Sequence, residues 1–156
     1  MMNVLIDLQI ADNNPDGLPS LDLLQQWSKA ALEAAEYTDD AELTVRMVDE
    51  DEIHVLNRNY RSVDRPTNIL SFPFECPDEV KLPLIGDLVI CRQILEKEAM
   101  DQQKTFFEHF AHLIVHGTLH LIGYDHIDPK DAEIMEPLEI KALKNLGYRD
   151  PYEPID

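Results

Sequence analysis

Residues 116–126, His-Gly-Thr-Leu-His-Leu-Ile-Gly-Tyr-Asp-His, constrain this chain more than any other stretch. His116 and His120 stand one helical turn apart, so on a helix their imidazoles project from the same face, about 5–6 Å between Cβ atoms. Gly123 falls two residues past the expected helix end at Leu121. Glycine accepts the positive φ that turns a chain back, and such a turn brings His126 toward the first two histidines. A fold for this chain must therefore supply a helix, a sharp reversal and room for three imidazoles around one point. Three neutral imidazoles are the ligand set of a catalytic zinc site, which keeps a fourth position open.

The rest of the chain reads as alternating strands and helices. Residues 3–10 alternate around Val4, Ile6, Leu8 and Ile10, a strand with one buried face. Residues 13–17 are turn chemistry, and Ser20 caps a helix with Leu21, Leu24, Trp27, Ala31 and Ala34 at helical spacing, ended by residues 38–40. A second strand spans 43–48. Asp49 and Glu52 resemble a capping box for a helix over 50–60 that should bury Ile53, Leu56 and Tyr60. A loop at 64–67 leads to a third strand at 68–72, an aperiodic proline-bearing loop at 73–83 and a fourth strand at 84–91. A short polar helix follows at 92–100. A long helix at 104–121 carries Phe106, Phe110, Leu113, Ile114 and Leu121 as its core stripe, with Gly117 where something packs closely. Asp128-Pro129 starts a last helix, Pro137 should kink or divide it, Gly147 ends it, and residues 148–156 form an extended tail. This order predicts a single α+β domain over residues 1–156. It should hold a small mixed sheet of about four strands, the adjacent third and fourth antiparallel, with helices packed on it.

Composition narrows the function classes. Lys and Arg total 13 against 31 Asp and Glu, a net charge of −18, which argues against broad adhesion to nucleic acid or anionic lipid. Cys76 and Cys91 form no C-x-x-C pair and read as free thiols in a reducing compartment. The first ten residues hold no Lys or Arg and include Asp7, unlike a secretory signal, and no apolar run approaches the ~20 residues that span a bilayer. A cytoplasmic protein without a membrane partner is expected.

Five of the six histidines lie between His109 and His126. On a helical wheel His109, His112, His116 and His120 fall within about 80° of one another, beside the core stripe rather than in it. The pattern His116, His120, Gly123, His126 coincides with the metzincin frame H-E-x-x-H-x-x-G-x-x-H at each ligand and at the glycine, so a zincin-like three-histidine metal site on a central helix is expected. Zinc suits it best, although nickel or copper also accept imidazole. The glutamate of that frame, the general base of the peptidases, is Gly117 here, which counts against peptide chemistry. Asp125 either orients an imidazole or the water, or stabilises the turn. His112 is a partner of the ligands, a substrate contact or an exposed bystander; His109 and His54 read as bystanders.

Residues 57–68 hold three of the six arginines, Arg58, Arg61 and Arg65. Arginine recognises phosphate, though a helix end also attracts cations through its dipole. These segments look familiar together. His116-Gly-Thr-Leu-His-Leu-Ile-Gly-Tyr-Asp-His126, Asn59-Tyr-Arg-Ser-Val-Asp-Arg-Pro-Thr-Asn-Ile-Leu-Ser-Phe-Pro73, Gly86-Asp-Leu-Val-Ile90 and Gly147-Tyr-Arg-Asp-Pro-Tyr152 resemble the bacterial YbeY family, metal-dependent endoribonucleases of ribosomal RNA maturation. The likeness runs in order over nearly the whole chain; Pro137 is its one atypical feature. It implies an α+β fold with one Zn2+ ion held by His116, His120 and His126, and an essential arginine at Arg61. It further implies endonuclease action on single-stranded ribosomal RNA at the 16S 3′ end, with quality control and late assembly. Partners would be the small ribosomal subunit, its proteins and an assembly GTPase. His116 and Arg61 would then carry catalysis. Two other functions fit the residues alone: a metal hydrolase of a peptide or amide, and a non-catalytic assembly factor with structural zinc. For an RNA enzyme this acidic, the substrate must be met in a local positive cleft made by the metal, Arg58, Arg61, Arg65 and Arg92.

Overall fold

Period-two patterning places four strands in one mixed sheet, with helices on both of its faces. The structure, a computed structural model, describes residues 2–12, 16–75, 82–125 and 128–152. In chain order the elements are β1 (Val4–Ile10), α1 (Leu21–Ala34), β2 (Ala41–Val48), α2 (Glu50–Arg61), β3 (Ile69–Pro73), β4 (Leu84–Cys91), α3 (Arg92–Asp101), α4 (Phe106–Leu121) and α5 (Pro129–Asn145). This is the order read from the sequence. The sheet runs β1-β2-β4-β3. β1, β2 and β4 are parallel, and β3 returns antiparallel to β4, as their adjacency suggested. Gly86 has φ +144°, and a Cβ there would collide with the Phe72 carbonyl oxygen, so only glycine lets β3 and β4 close.

Alternation divides the strand residues between two cores. Leu43, Val45, Met47, Leu88 and Ile90 face Leu24 and Trp27 of α1, Phe110 and Ile114 of α4, and Met135 of α5. Val48, Leu70, Val89 and Cys91 face Ile53 of α2 on the opposite side. Cys91 is the buried free thiol expected; Cys76 lies outside the described residues.

Helix α4 sits among α1, α3, α5, β3 and β4. Its buried set includes Ala111, Val115, Thr118 and Leu119 as well as much of the predicted stripe, because a helix packed on nearly every side has no wide polar face. Thr105 caps it, accepting from the Glu108 N–H at 3.1 Å, so it starts later than residue 104. At Gly117 the helix meets the sheet: a Cβ there would lie 2.8 Å from Leu88 Cδ2 and 2.9 Å from Ile69 Cδ1.

Several local expectations are corrected. Tyr60 is 68% exposed rather than buried, and Leu21 and Ile10 are also exposed. Helix α1 stops at Ala34, where Glu36 takes φ +58°, before the polar residues expected to end it. Helix α5 runs through Pro137 undivided. An interior proline costs about 3 kcal/mol. Against that, Asp128 caps α5 by accepting from the Asp131 N–H at 2.9 Å, and Met135, Ala142 and Leu143 bury one side of it. Arg92 is not among the described residues that line the histidine cavity. It is 8% exposed, and its Nε and Nη2 donate to Asp12 at 2.6 and 3.0 Å while Nη1 donates to Glu96 at 2.8 Å. These hydrogen bonds hold its guanidinium firmly charged against the cost of burial.

Two outcomes follow from this packing. Asp12→Ala removes two of the three hydrogen bonds of the buried Arg92 guanidinium, leaving the one to the exposed Glu96, and should lower stability by about 3 kcal/mol in denaturant melts. Gly117→Glu, which would restore the peptidase glutamate, forces a side chain and a charge against Leu88 and Ile69. It should lose about 3 kcal/mol or more by the same measurement, and a melt equal to that of the unsubstituted protein would refute the close approach.

Candidate functional site

The C-terminal half of α4 carries the histidines out of the core to the sheet edge. His116 and His120 point their Nε2 atoms at each other, 2.9 Å apart. Beyond Leu121 the helix closes in a Schellman turn. Gly123 takes φ +108°, its N–H donates to the His120 carbonyl at 3.1 Å, and the Tyr124 N–H donates to the Leu119 carbonyl at 3.1 Å. The turn expected from Gly123 is therefore present. The third histidine of the motif, His126, lies outside the described residues. Among the described residues no group of three or more His, Cys, Asp or Glu side chains could hold a metal ion. The structure thus brings together two of the three expected ligands.

Hydrogen bonds decide what those two rings offer. His120 Nδ1 lies 2.8 Å from the Tyr124 carbonyl oxygen, which can only accept, so Nδ1 carries the proton. His116 Nδ1 lies 3.0 Å from Glu139 Oε1 and donates in the same way. With both Nδ1 atoms protonated, a neutral pair presents two Nε2 lone pairs to one point. Such an arrangement calls for a cation, and a metal-bound histidine characteristically donates its other nitrogen to a carboxylate or a carbonyl. The donor set therefore fits a divalent metal of the imidazole-binding kind. Burial, then the nearby His116, lowers the His120 pKa, which keeps its ring neutral and able to ligate.

Glu139 is the residue that the sequence reading missed. It lies on α5, 0% exposed, and its Oε1 accepts from His116 and from His112 Nε2 at 2.9 Å. Its Oε2 accepts from the Tyr152 hydroxyl at 3.0 Å. Burial alone would raise its carboxyl, but the hydrogen bonds from His112 and His116 prevail and hold it at about 2. His112 is accordingly a partner of the site rather than an exposed bystander. His109 is 3% exposed and bonds Glu98 on α3 at 2.9 Å, so it is a built-in core residue rather than a loose bystander. His54, paired with Asp64 at 2.8 Å, is half-exposed on α2 and stays a bystander to the site. A glutamate in a helix otherwise reading as polar carried no local signal. Its meaning comes from α5 packing on α4.

The histidine pair opens into a cavity of about 680 Å³ whose lining includes Arg61, Ser71, His116, His120, Tyr124 and Asp125. Arg61 is exposed at the last turn of α2, a helix end that favours cations. Two contacts hold that end over the cavity. The buried Asn57 donates to the Arg65 carbonyl at 2.8 Å, and the Tyr60 ring stands edge-on to Phe72, 5.3 Å between centroids. Arg58 and Arg65 are exposed but do not line the cavity. Among the described lining residues Asp125 is the only carboxylate and Arg61 the only arginine, a balance that the chain as a whole does not have. Asp125 acts on the neighbouring His120 through its charge, opposing the fall in that ring's pKa.

In structure the chain resembles TM1509 from Thermotoga maritima, known from a solution structure, with a TM-score of 0.56 and 26% identity, over 90% of this chain and 92% of that one. Among the described residues no helix is long and apolar enough to cross a membrane. The sequence pattern of the family described as Endoribonuclease YbeY matches residues 11–147. The chain belongs to the YbeY family of endoribonucleases, whose role lies in ribosomal RNA processing.

Proposed function

We propose that this chain is a zinc-dependent endoribonuclease that cleaves single-stranded ribosomal RNA, with His116, His120 and His126 holding the ion and Arg61 binding the scissile phosphate. One observation carries the reading: two imidazoles, each with Nδ1 committed to an acceptor, converge through Nε2 on a cavity shared with an exposed arginine. A divalent metal bound there supplies a Lewis acid and a nucleophilic water at neutral pH. The protein supplies the rest. Glu139 and the Tyr124 carbonyl hold the two rings in their ligating tautomers. Arg61 offers a planar, always-charged donor to the phosphate and to the charge that grows on it during cleavage. The exposed Tyr60 ring beside Phe72 offers a stacking surface that suits unpaired bases.

The same family likeness points to the 3′ end of 16S ribosomal RNA and late assembly of the small subunit in the cytoplasm, with ribosomal proteins and an assembly GTPase as partners. Because the chain carries −18 overall, affinity for free RNA should be low and should rise when such partners position the substrate. A peptidase reading is disfavoured by Gly117, which faces Leu88 and Ile69 where no general base could stand.

Cleavage of small-subunit precursor RNA tests the proposal. His116→Ala should abolish both metal uptake and cleavage with the circular dichroism spectrum unchanged. Arg61→Ala should lower kcat by about 10²–10³-fold while the metal content stays at one ion per chain. Full cleavage by metal-free His116→Ala protein would overturn the mechanism. Peptide hydrolysis lost with His116, without RNA cleavage, would replace it.

A further inference from the structure

Behind the histidine pair, the carboxylate that holds His116 gathers further contacts, from His112 and Tyr152, to which the cleavage reading assigns no role. Glu139 receives three donors from three places in the chain: His112 and His116 on α4, and Tyr152 beyond the end of α5. The segment that brings Tyr152 there is tied down at the start of α4. Arg149 Nε donates to Glu108 Oε2 at 2.9 Å, Arg149 Nη2 donates to the Gln103 carbonyl at 3.1 Å, and Lys104 Nζ donates to the Pro151 carbonyl at 3.3 Å. Gly147, with φ +90°, reverses the chain so that this segment runs back along α4. Tyr152 then stands edge-on to His112, 5.5 Å between ring centroids, with its hydroxyl on Glu139.

A carboxylate with no exposure needs its lone pairs filled, and here each donor also gains orientation. The His116 ring can point Nε2 at His120 as an acceptor only while Nδ1 keeps its proton, and Glu139 is the acceptor that keeps it there. Free imidazole carries no such preference. We propose that Tyr152, Glu139 and His112 form a positioning relay that fixes His116 in the Nδ1–H tautomer, so that the C-terminal segment completes the metal site. The relay rests on the metal reading only for its purpose; the tautomer is a property of the chain itself. Glu139 and Tyr152 are positioning residues, since they act through His116 rather than on the substrate.

The test uses the full chain. Nitrogen-15 spectra of the histidine rings, taken without metal, should show His116 as the Nδ1–H tautomer. Glu139→Leu removes the acceptor while keeping an apolar side chain of similar size, and should bring in the Nε2–H tautomer. Glu139→Gln keeps one acceptor oxygen and should restore the Nδ1–H form. Cobalt titration followed by its visible absorption should show 10–100-fold weaker binding in Glu139→Leu, with partial recovery in Glu139→Gln. Tyr152→Phe should lose a smaller amount, about threefold to tenfold, because one of three donors to the carboxylate is gone. A folded Glu139→Leu protein with the original tautomer and cobalt affinity overturns the relay. If that variant does not fold, an unchanged tautomer and affinity in Tyr152→Phe overturns it instead. Should the unsubstituted protein take up no cobalt, the metal reading fails, and the tautomer comparison still decides the relay.

Discussion

The contact on which the rest depends is the approach of α4 to the sheet at Gly117. With no side chain there, the helix lies close enough for Leu88 and Ile69 to fill the space a Cβ would take. That closeness seats α4 between β3, β4 and the helices α1 and α5. It also fixes the rotation of α4, since the position facing the sheet is one residue from His116. With Gly117 against the sheet, His116 and His120 are directed along the edge of β3, into the cavity that Arg61 overlooks.

A second constraint is electrostatic. Buried carboxylates are costly unless hydrogen-bonded, and here the buried Glu139 and Asp12, with the partly buried Glu98, are bonded to histidines and one arginine. Glu139 accepts from His112 and His116, Glu98 from His109, and Asp12 from Arg92. Among the described lining residues of the cavity, Arg61 and two imidazoles face one exposed aspartate. On the proposed reading, this local balance is what would let a phosphate approach an acidic member of an RNA-cleaving family.

Much of the architecture was legible because its causes are local. Strand alternation, the caps at Ser20, Asp49 and Asp128, and the glycine turns at Gly123 and Gly147 act over four or five residues, and each is found where the pattern put it. The failures share one origin. Tyr60, Leu21 and Ile10 were placed inside by periodicity, but periodicity names a face and not what covers it. Pro137 was expected to kink or divide α5, and the cap and buried residues on either side keep the helix undivided. Arg92 was assigned to the cleft from its charge, and its partner Asp12 lies eighty positions away in the chain.

The sequence by itself determined the element order, the helical turn between His116 and His120, the reversal at Gly123 and the proximity in character, though not in space, of a histidine helix and an arginine loop. These follow from spacing and from the backbone freedom of single residues. Only the tertiary structure decided that Arg61 overlooks the histidine pair, that Glu139 and Tyr152 stand behind it, and that His109 and His112 are interior. Each of those facts joins residues from separate elements, and helix packing, which depends on the shape and volume of whole faces, is what brings them within reach.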